Sequence, residues 1–130
     1  TGLTRDSDWR DLVRATIESV AYQTSDLFLS MRKDGLNPKS VKVDGGMVSN
    51  NWFVQFLSEI LKIKITRSKI NETTALGAAY MAGYQTGIYR SLSDIKQNWK
   101  KDRDFKPKFN KSYRNKLLQG WQQAIKKTLA

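Results

Sequence analysis

The stretch Val41-Lys-Val-Asp-Gly-Gly-Met-Val-Ser-Asn-Asn-Trp-Phe-Val-Gln-Phe-Leu-Ser-Glu-Ile-Leu-Lys-Ile-Lys-Ile-Thr66 decides the fold. Its opening, Val41-Lys-Val43-Asp44, alternates apolar and polar residues and runs into Gly45-Gly46, the pattern of a short strand ending in a glycine turn. From Asn50 to Leu61, the residues Trp52, Phe53, Phe56, Leu57, Ile60 and Leu61 recur at three and four. That spacing predicts a helix with one buried face, and Ser49 or Asn50 can cap its start. Ile63-Lys-Ile65-Thr66 alternates again and predicts a second short strand with its lysines in water. A helix of this length between two strands predicts a parallel pair with a right-handed crossover, because an antiparallel pair needs only a hairpin.

Upstream, residues 8 to 33 place Trp9, Leu12, Val13, Thr16, Ile17, Val20, Ala21, Leu27, Phe28 and Met31 on one side of a long helix. Asp6, Ser7 and Asp8 offer capping oxygens at its start, and Arg32, Lys33 and Gly35 suit its carbonyl end. Downstream, Thr73-Thr-Ala-Leu-Gly-Ala-Ala-Tyr-Met-Ala-Gly-Tyr84 reads as a helix whose Gly77 and Gly83 cost it about 1 kcal/mol each against alanine. Its small side chains predict a tightly packed helix, stopped by Gly87. Ser91 to Trp99 reads as a further short helix, and Lys100 to Asn110 as a charged connector containing Pro107. In the last segment Tyr113, Leu117, Trp121 and Ile125 fall at spacings of four, the pattern of a helix burying one stripe.

The 130 residues suit one domain or a piece of a larger one, and a start at Thr rather than Met suggests the latter. With no Cys and no His, disulfides, thiolate and imidazole metal sites and Ser-His-Asp chemistry are excluded. The lack of cysteine suits a reducing compartment, so a cytoplasmic location is expected. No stretch approaches the roughly 20 apolar residues that span a bilayer, and no membrane partner is expected.

The net charge of +11 is concentrated at one end: residues 90 to 130 carry 12 basic and 3 acidic groups. Such a tail is the footprint of a basic binding module for nucleic acid or an acidic protein, or of a solvated helix face. Trp99, Phe105, Phe109, Tyr113 and Trp121 interleave it, as stacking platforms for a single strand or as core anchors. The four-residue spacing favours anchors, and nucleic acid is the less favoured partner.

One constellation has the character of a ligand site, Val43-Asp-Gly-Gly-Met-Val-Ser-Asn-Asn51 at a strand-to-helix junction. Glycines permit close approach of main-chain N–H groups, and the helix that follows directs its positive end at an anion. Asn50 and Asn51 each offer a donor and an acceptor to a base edge. Neither Gly-x-x-x-x-Gly-Lys nor Gly-x-Gly-x-x-Gly is present, so physics alone leaves a structural turn as the stronger reading. Asp44 reads as a turn acceptor or a metal-water contact rather than a catalytic group, Glu18 as a structural carboxylate without a partner acid, and Glu72 with Thr73 and Thr74 as a helix start capped by threonine. No catalytic residue and no metal ligand is assigned.

Three stretches in order, Arg14-Ala-Thr-Ile-Glu-Ser-Val-Ala-Tyr-Gln-Thr24, Val43 to Asn51 and Thr74-Ala-Leu-Gly-Ala-Ala-Tyr-Met-Ala-Gly83, resemble the C-terminal part of the FGGY carbohydrate kinases. Phe105-Lys-Pro107, Gly120-Trp121 and the basic end are similar to the glycerol kinases within that family. The resemblance spans essentially the whole chain. It implies an α/β fold, a truncated actin and hexokinase-like (ribonuclease H-like) ATPase domain, mostly helical with two short parallel strands. It also implies that residues 1–130 are the C-terminal fragment of the second kinase domain, with 1–89 a strand-helix core and 90–130 a basic helical tail. The implied activity is ATP-dependent phosphorylation of glycerol with Mg²⁺. Gly46 would approach the nucleotide through its main chain, Asn50 would contact the adenine, and the helix at 74–83 would pack behind them. The family's phosphate loop, glycerol-binding residues and catalytic aspartate have no counterpart in these residues, so the chain is expected to be silent alone and to hold ATP or ADP weakly. The strand edges are expected to pair with another copy or with an upstream segment.

Overall fold

A computed structural model, which describes residues 1–70 and 72–129, builds the molecule around one apolar helix. The order is α1 (Trp9–Lys33), β1 (Ser40–Val43), a 3-10 helix (Gly46–Ser49), α2 (Asn51–Leu61), β2 (Lys64–Ser68), α3 (Thr73–Gln85), α4 (Leu92–Gln97), β3 (Lys101–Phe105) and α5 (Lys111–Leu129). Helix α2 is the centre: Phe53, Val54, Phe56, Leu57, Ile60 and Leu61 are all buried, between α1 on one side and β2 on the other. Ile60 and Ile65 are wholly buried, each worth about 1.5 to 3 kcal/mol relative to exposure.

The capping chemistry is legible in the sequence. Asp8 accepts from the N–H groups of Arg10 and Asp11 at the start of α1, and Asp11 returns a bond to Asp8 N–H in a reciprocal box. The chain leaves α1 through Gly35 at φ 86, with Leu36 N–H on Met31 O at 2.9 Å. Helix α2 ends at Lys62, which adopts the left-handed conformation at φ 56 and presents its side chain to water.

Strand β1 pairs parallel with β2, Val41 opposite Ile65, as the strand-helix-strand pattern predicts. The sheet nevertheless has a third member, in the order β1-β2-β3, and β3 is antiparallel to β2. The expectations of two strands and of a charged connector over 100–110 are corrected on this point. Lys101-Asp-Arg-Asp-Phe105 lacks alternating apolar residues because only Phe105 enters the core, opposite Ile65. Polar cross-strand bonds hold the rest, including Thr66 Oγ1 to Asp104 Oδ1 at 2.7 Å. The register shifts between Arg67 and Ser68, which pair with Arg103 and Lys101, so Asp102 is the extra residue of a bulge.

The basic segment also packs as helix. Trp121 stacks on Tyr22, ring centres 5.4 Å apart, and donates from Nε1 to Asp26 at 2.7 Å. Arg114 Nε donates to Ile60 O at the end of α2, at 2.7 Å. Desolvation there lowers the Arg114 pKa from its ordinary value. The stripe on α5 is half-buried rather than sealed, and Tyr113 stays 44% exposed. The apolar stripe of α1 is engaged from Ile17 onward and not throughout: Ala21, Tyr22 and Phe28 are buried and Ile17 and Val20 pack against them, whereas Trp9, Leu12, Val13 and Leu27 are exposed.

Helix α3 departs furthest from expectation. Ala75, Ala78, Ala79 and Ala82 are exposed, and only Gly83 is buried. A Cβ on Gly83 would meet Tyr89 Cε2 at 2.8 Å, so this glycine admits the Tyr89 ring. Gly77 has nothing within 4 Å. The start of α3 carries no side-chain cap: Glu72 occupies the N-cap position and accepts from Leu76 N–H only through its main-chain carbonyl, and the expected threonine cap does not form. No helix among the described residues is long and apolar enough to cross a membrane.

Candidate nucleotide-binding turn

The junction after β1 is built by a sharp backbone reversal. Gly45 sits at φ 94, a region closed to most side chains, and starts the 3-10 helix, with Val48 N–H on Gly45 O at 3.3 Å. Ser49 Oγ donates to Gly46 O at 2.7 Å, and Asn50 N–H to Met47 O at 3.2 Å. Val48 is the inward anchor of the turn at 6% exposure, while Gly46, Met47 and Asn50 face solvent. A Cβ built on Gly46 meets nothing within 4 Å. The bend is thus on the surface, and the space over Gly46 is open to a ligand.

Asn50 has two ends with separate tasks. Its Oδ1 accepts from Trp52 N–H at 3.0 Å and Phe53 N–H at 3.2 Å, capping α2. The amide oxygen is therefore committed to the protein, which leaves Nδ2 as the side-chain donor of this exposed residue. Asn50 and Trp52 open onto a groove of about 380 Å³. Its opposite wall is the exposed half of α1, with Val13 and Ile17 apolar and Arg10 and Arg14 charged. Arg14 Nε lies 2.7 Å from Glu18 Oε1, and that bond raises the Arg14 pKa above its ordinary value. Glu18 also accepts from Tyr22 O–H at 3.2 Å. Gly46, four residues before Asn50, is not part of the groove wall. The two candidate residues share one turn but not one cavity.

Sequence reasoning missed the groups that hold this turn. Arg67 Nη1 donates to Val48 O at 2.7 Å and Ser49 O at 3.3 Å, and Arg67 Nε to Asp102 at 2.7 Å. Glu59, at 2% exposure, accepts from Phe109 N–H at 2.7 Å and from Lys108 N–H, locking the approach to α5 onto α2. A charged residue between apolar helix neighbours is the one sequence signal for Glu59. Among the described residues no group of three or more acidic side chains gathers around a point where a metal could sit. The aromatics of the basic segment act largely as anchors: Phe105 is 4% exposed, Trp121 stacks on Tyr22, and Trp99 lies under Lys42 Nζ at 3.8 Å.

Comparison with known proteins identifies what the chain is similar to. Residues 1–86 match the sequence profile of the FGGY family of carbohydrate kinases, C-terminal domain. A glycerol kinase of Rhodospirillum centenum is 48% identical over 128 residues, covering 98% of this chain and 26% of the relative. A glycerol kinase of a Marinomonas species is 51% identical over 124 residues, covering 95% and 25%. A Plasmodium falciparum glycerol kinase solved with ADP superposes with a TM-score of 0.84 at 35% identity, over 100% of this chain and 26% of that one. A Lactobacillus acidophilus xylulose kinase shares the fold with a TM-score of 0.79 at 23% identity, over 100% and 27%. The chain thus spans about a quarter of the length of these relatives. The matches favour the kinase reading over a free-standing basic module.

Proposed function

Because the chain belongs to the FGGY family of carbohydrate kinases, we propose that it forms one wall of the adenine-nucleotide site of an ATP-dependent kinase that phosphorylates glycerol. The observation that carries this is the open, solvent-facing bend at Gly45 and Gly46, placed where a strand hands over to a helix. The main chain at Gly46 approaches the nucleotide, and Asn50 Nδ2 donates to a ring nitrogen of the adenine. The glycerol kinase relatives, and the ADP with which the Plasmodium enzyme was solved, support this choice of ligand and acceptor.

When bound, ATP would supply the γ-phosphoryl group for transfer to a glycerol hydroxyl, and Mg²⁺ would offset the phosphate charge. This chain's own part is to hold the base end. Positioned phosphates, metal and nucleophile act together in such a transfer, so 130 residues bearing one wall bind ADP weakly and turn nothing over by themselves. The apolar residues left exposed outside that groove, including Leu12 on α1 and Met81 and Tyr84 on α3, support packing of the remaining kinase polypeptide on these faces. Pairing with a second copy is the competing outcome, which gel filtration would reveal as a dimer. The enzyme works in the cytoplasm.

The test substitutes Gly46 by valine. Its φ is not in the left-handed region and its surroundings are open, so folding is expected to survive while the methyl groups cover the amide. Calorimetric titration with ADP and Mg²⁺ is expected to show weak binding to the native chain and none to Gly46→Val. Equal binding by both would overturn the assignment.

A further inference from the structure

The geometry points to Arg67 as a positioning residue for the nucleotide turn, with Asp102 as the group that aims it; this rests on the nucleotide role proposed for Gly46 and Asn50. Arg67 extends from β2 with its side chain only 13% exposed. Its Nη1 reaches the carbonyls of Val48 and Ser49, the last two residues of the 3-10 helix. Those carbonyls form the partly negative end of a helical turn, where a cation is favourable. The same guanidinium holds Asp102 through Nε. One planar group therefore joins β2, the turn and β3 in a fixed geometry that lysine, a single point donor, does not reproduce.

Asp102 is available for this because it is the extra residue of the β3 bulge. It also lies beyond residues 1–86, the part that matches the family profile. The clasp grips the turn through its carbonyls, opposite in polarity to the N–H groups offered to an anion, so Arg67 acts on the ligand only through the turn. Immediately beside it, Thr66 Oγ1 and Asp104 Oδ1 join the same two strands at 2.7 Å without touching the turn. That pair is a built-in control.

Amide NMR spectra of the full 130-residue chain, titrated with ADP at millimolar concentrations, provide the test. In the native chain the amides of Gly46, Met47 and Asn50 are expected to shift with ADP. Arg67→Ala is expected to weaken ADP binding about tenfold and Asp102→Ala about threefold. Arg67→Lys should recover only part of the loss. Thr66→Val is expected to lower stability and leave ADP affinity within about twofold. ADP affinity unchanged by Arg67→Ala, or lost in step with stability in Thr66→Val, would overturn the positioning role and leave the nucleotide site intact. No ADP-dependent shift in the native chain would remove both. Should Arg67→Ala fail to fold, Asp102→Ala decides, since that side chain is 40% exposed.

Discussion

Replacing Asn50 by serine and by alanine separates its two tasks. The side-chain oxygen of Asn50 receives two N–H groups at the start of α2, at 3.0 and 3.2 Å. Serine retains an oxygen that can reach the same groups, and alanine has none. Loss of a cap costs about 1 kcal/mol, which for a chain of this size lowers Tm by roughly 3 to 5 °C. Asn50→Ser is expected to stay within about 0.5 kcal/mol of the native chain. Both variants lack Nδ2, and a neutral hydrogen bond of about 1 kcal/mol corresponds to about a fivefold loss of ADP affinity. Urea unfolding followed by tryptophan fluorescence reads stability, and calorimetry with ADP reads binding. The expected pattern is one unstable variant and two weak binders. If Asn50→Ser binds ADP like the native chain while Asn50→Ala does not, the adenine contact is wrong and the affinity loss reflects a frayed helix. If serine is as destabilising as alanine, the cap is wrong.

Glu59→Ala removes a buried acceptor from the Phe109 and Lys108 amides, and a loss of about 2 to 3 kcal/mol is expected in urea unfolding; a change below about 0.5 kcal/mol would show those amides satisfied by water. Tyr22 has a pKa raised above its ordinary 10.0, through burial first and then the nearby Glu18. Its contribution to stability is therefore full below pH 10.0 and is lost as the pH rises from there toward the higher folded value. Tyr22→Phe is expected to flatten the alkaline limb of the stability curve, and an unchanged limb measured by thermal melts between neutral and alkaline pH would refute this.

The sequence makes legible the elements whose residues bury a face at a regular period. Helix α2 and the parallel pair β1 and β2 follow from Trp52 to Leu61 and from the alternation on either side, and the caps Asp8, Asn50 and Ser91 are where short polar residues precede apolar runs. Strand β3 is illegible because its pairing is written in polar cross-strand bonds and one Phe105, and a run of charges has no period to read. Small residues misled at α3: alanine and glycine permit close packing but do not supply the partner, and within the described residues the helix face stays open. Of the candidate site, Gly46 and Asn50 stood out as residue types with backbone and amide chemistry. Arg67 did not, because its partners lie 18, 19 and 35 residues away and only the folded sheet brings them together.

The acidic residue at position 26 has a consequence for the cationic C-terminal helix. Asp26 offers its two oxygens to Trp121 Nε1 and Gln122 Nε2, at 2.7 and 3.1 Å. Sliding α5 by one turn, about 5.4 Å, would bring Leu117 and Leu118, or Ile125 and Lys126, opposite that carboxylate. In the first setting both oxygens lose their donors, and in the second one of them does. A key that turns in one position only is the better image for α5 than a sticky basic strip: Asp26, together with the Tyr22 ring and the Ile60 carbonyl, tells it where to stop.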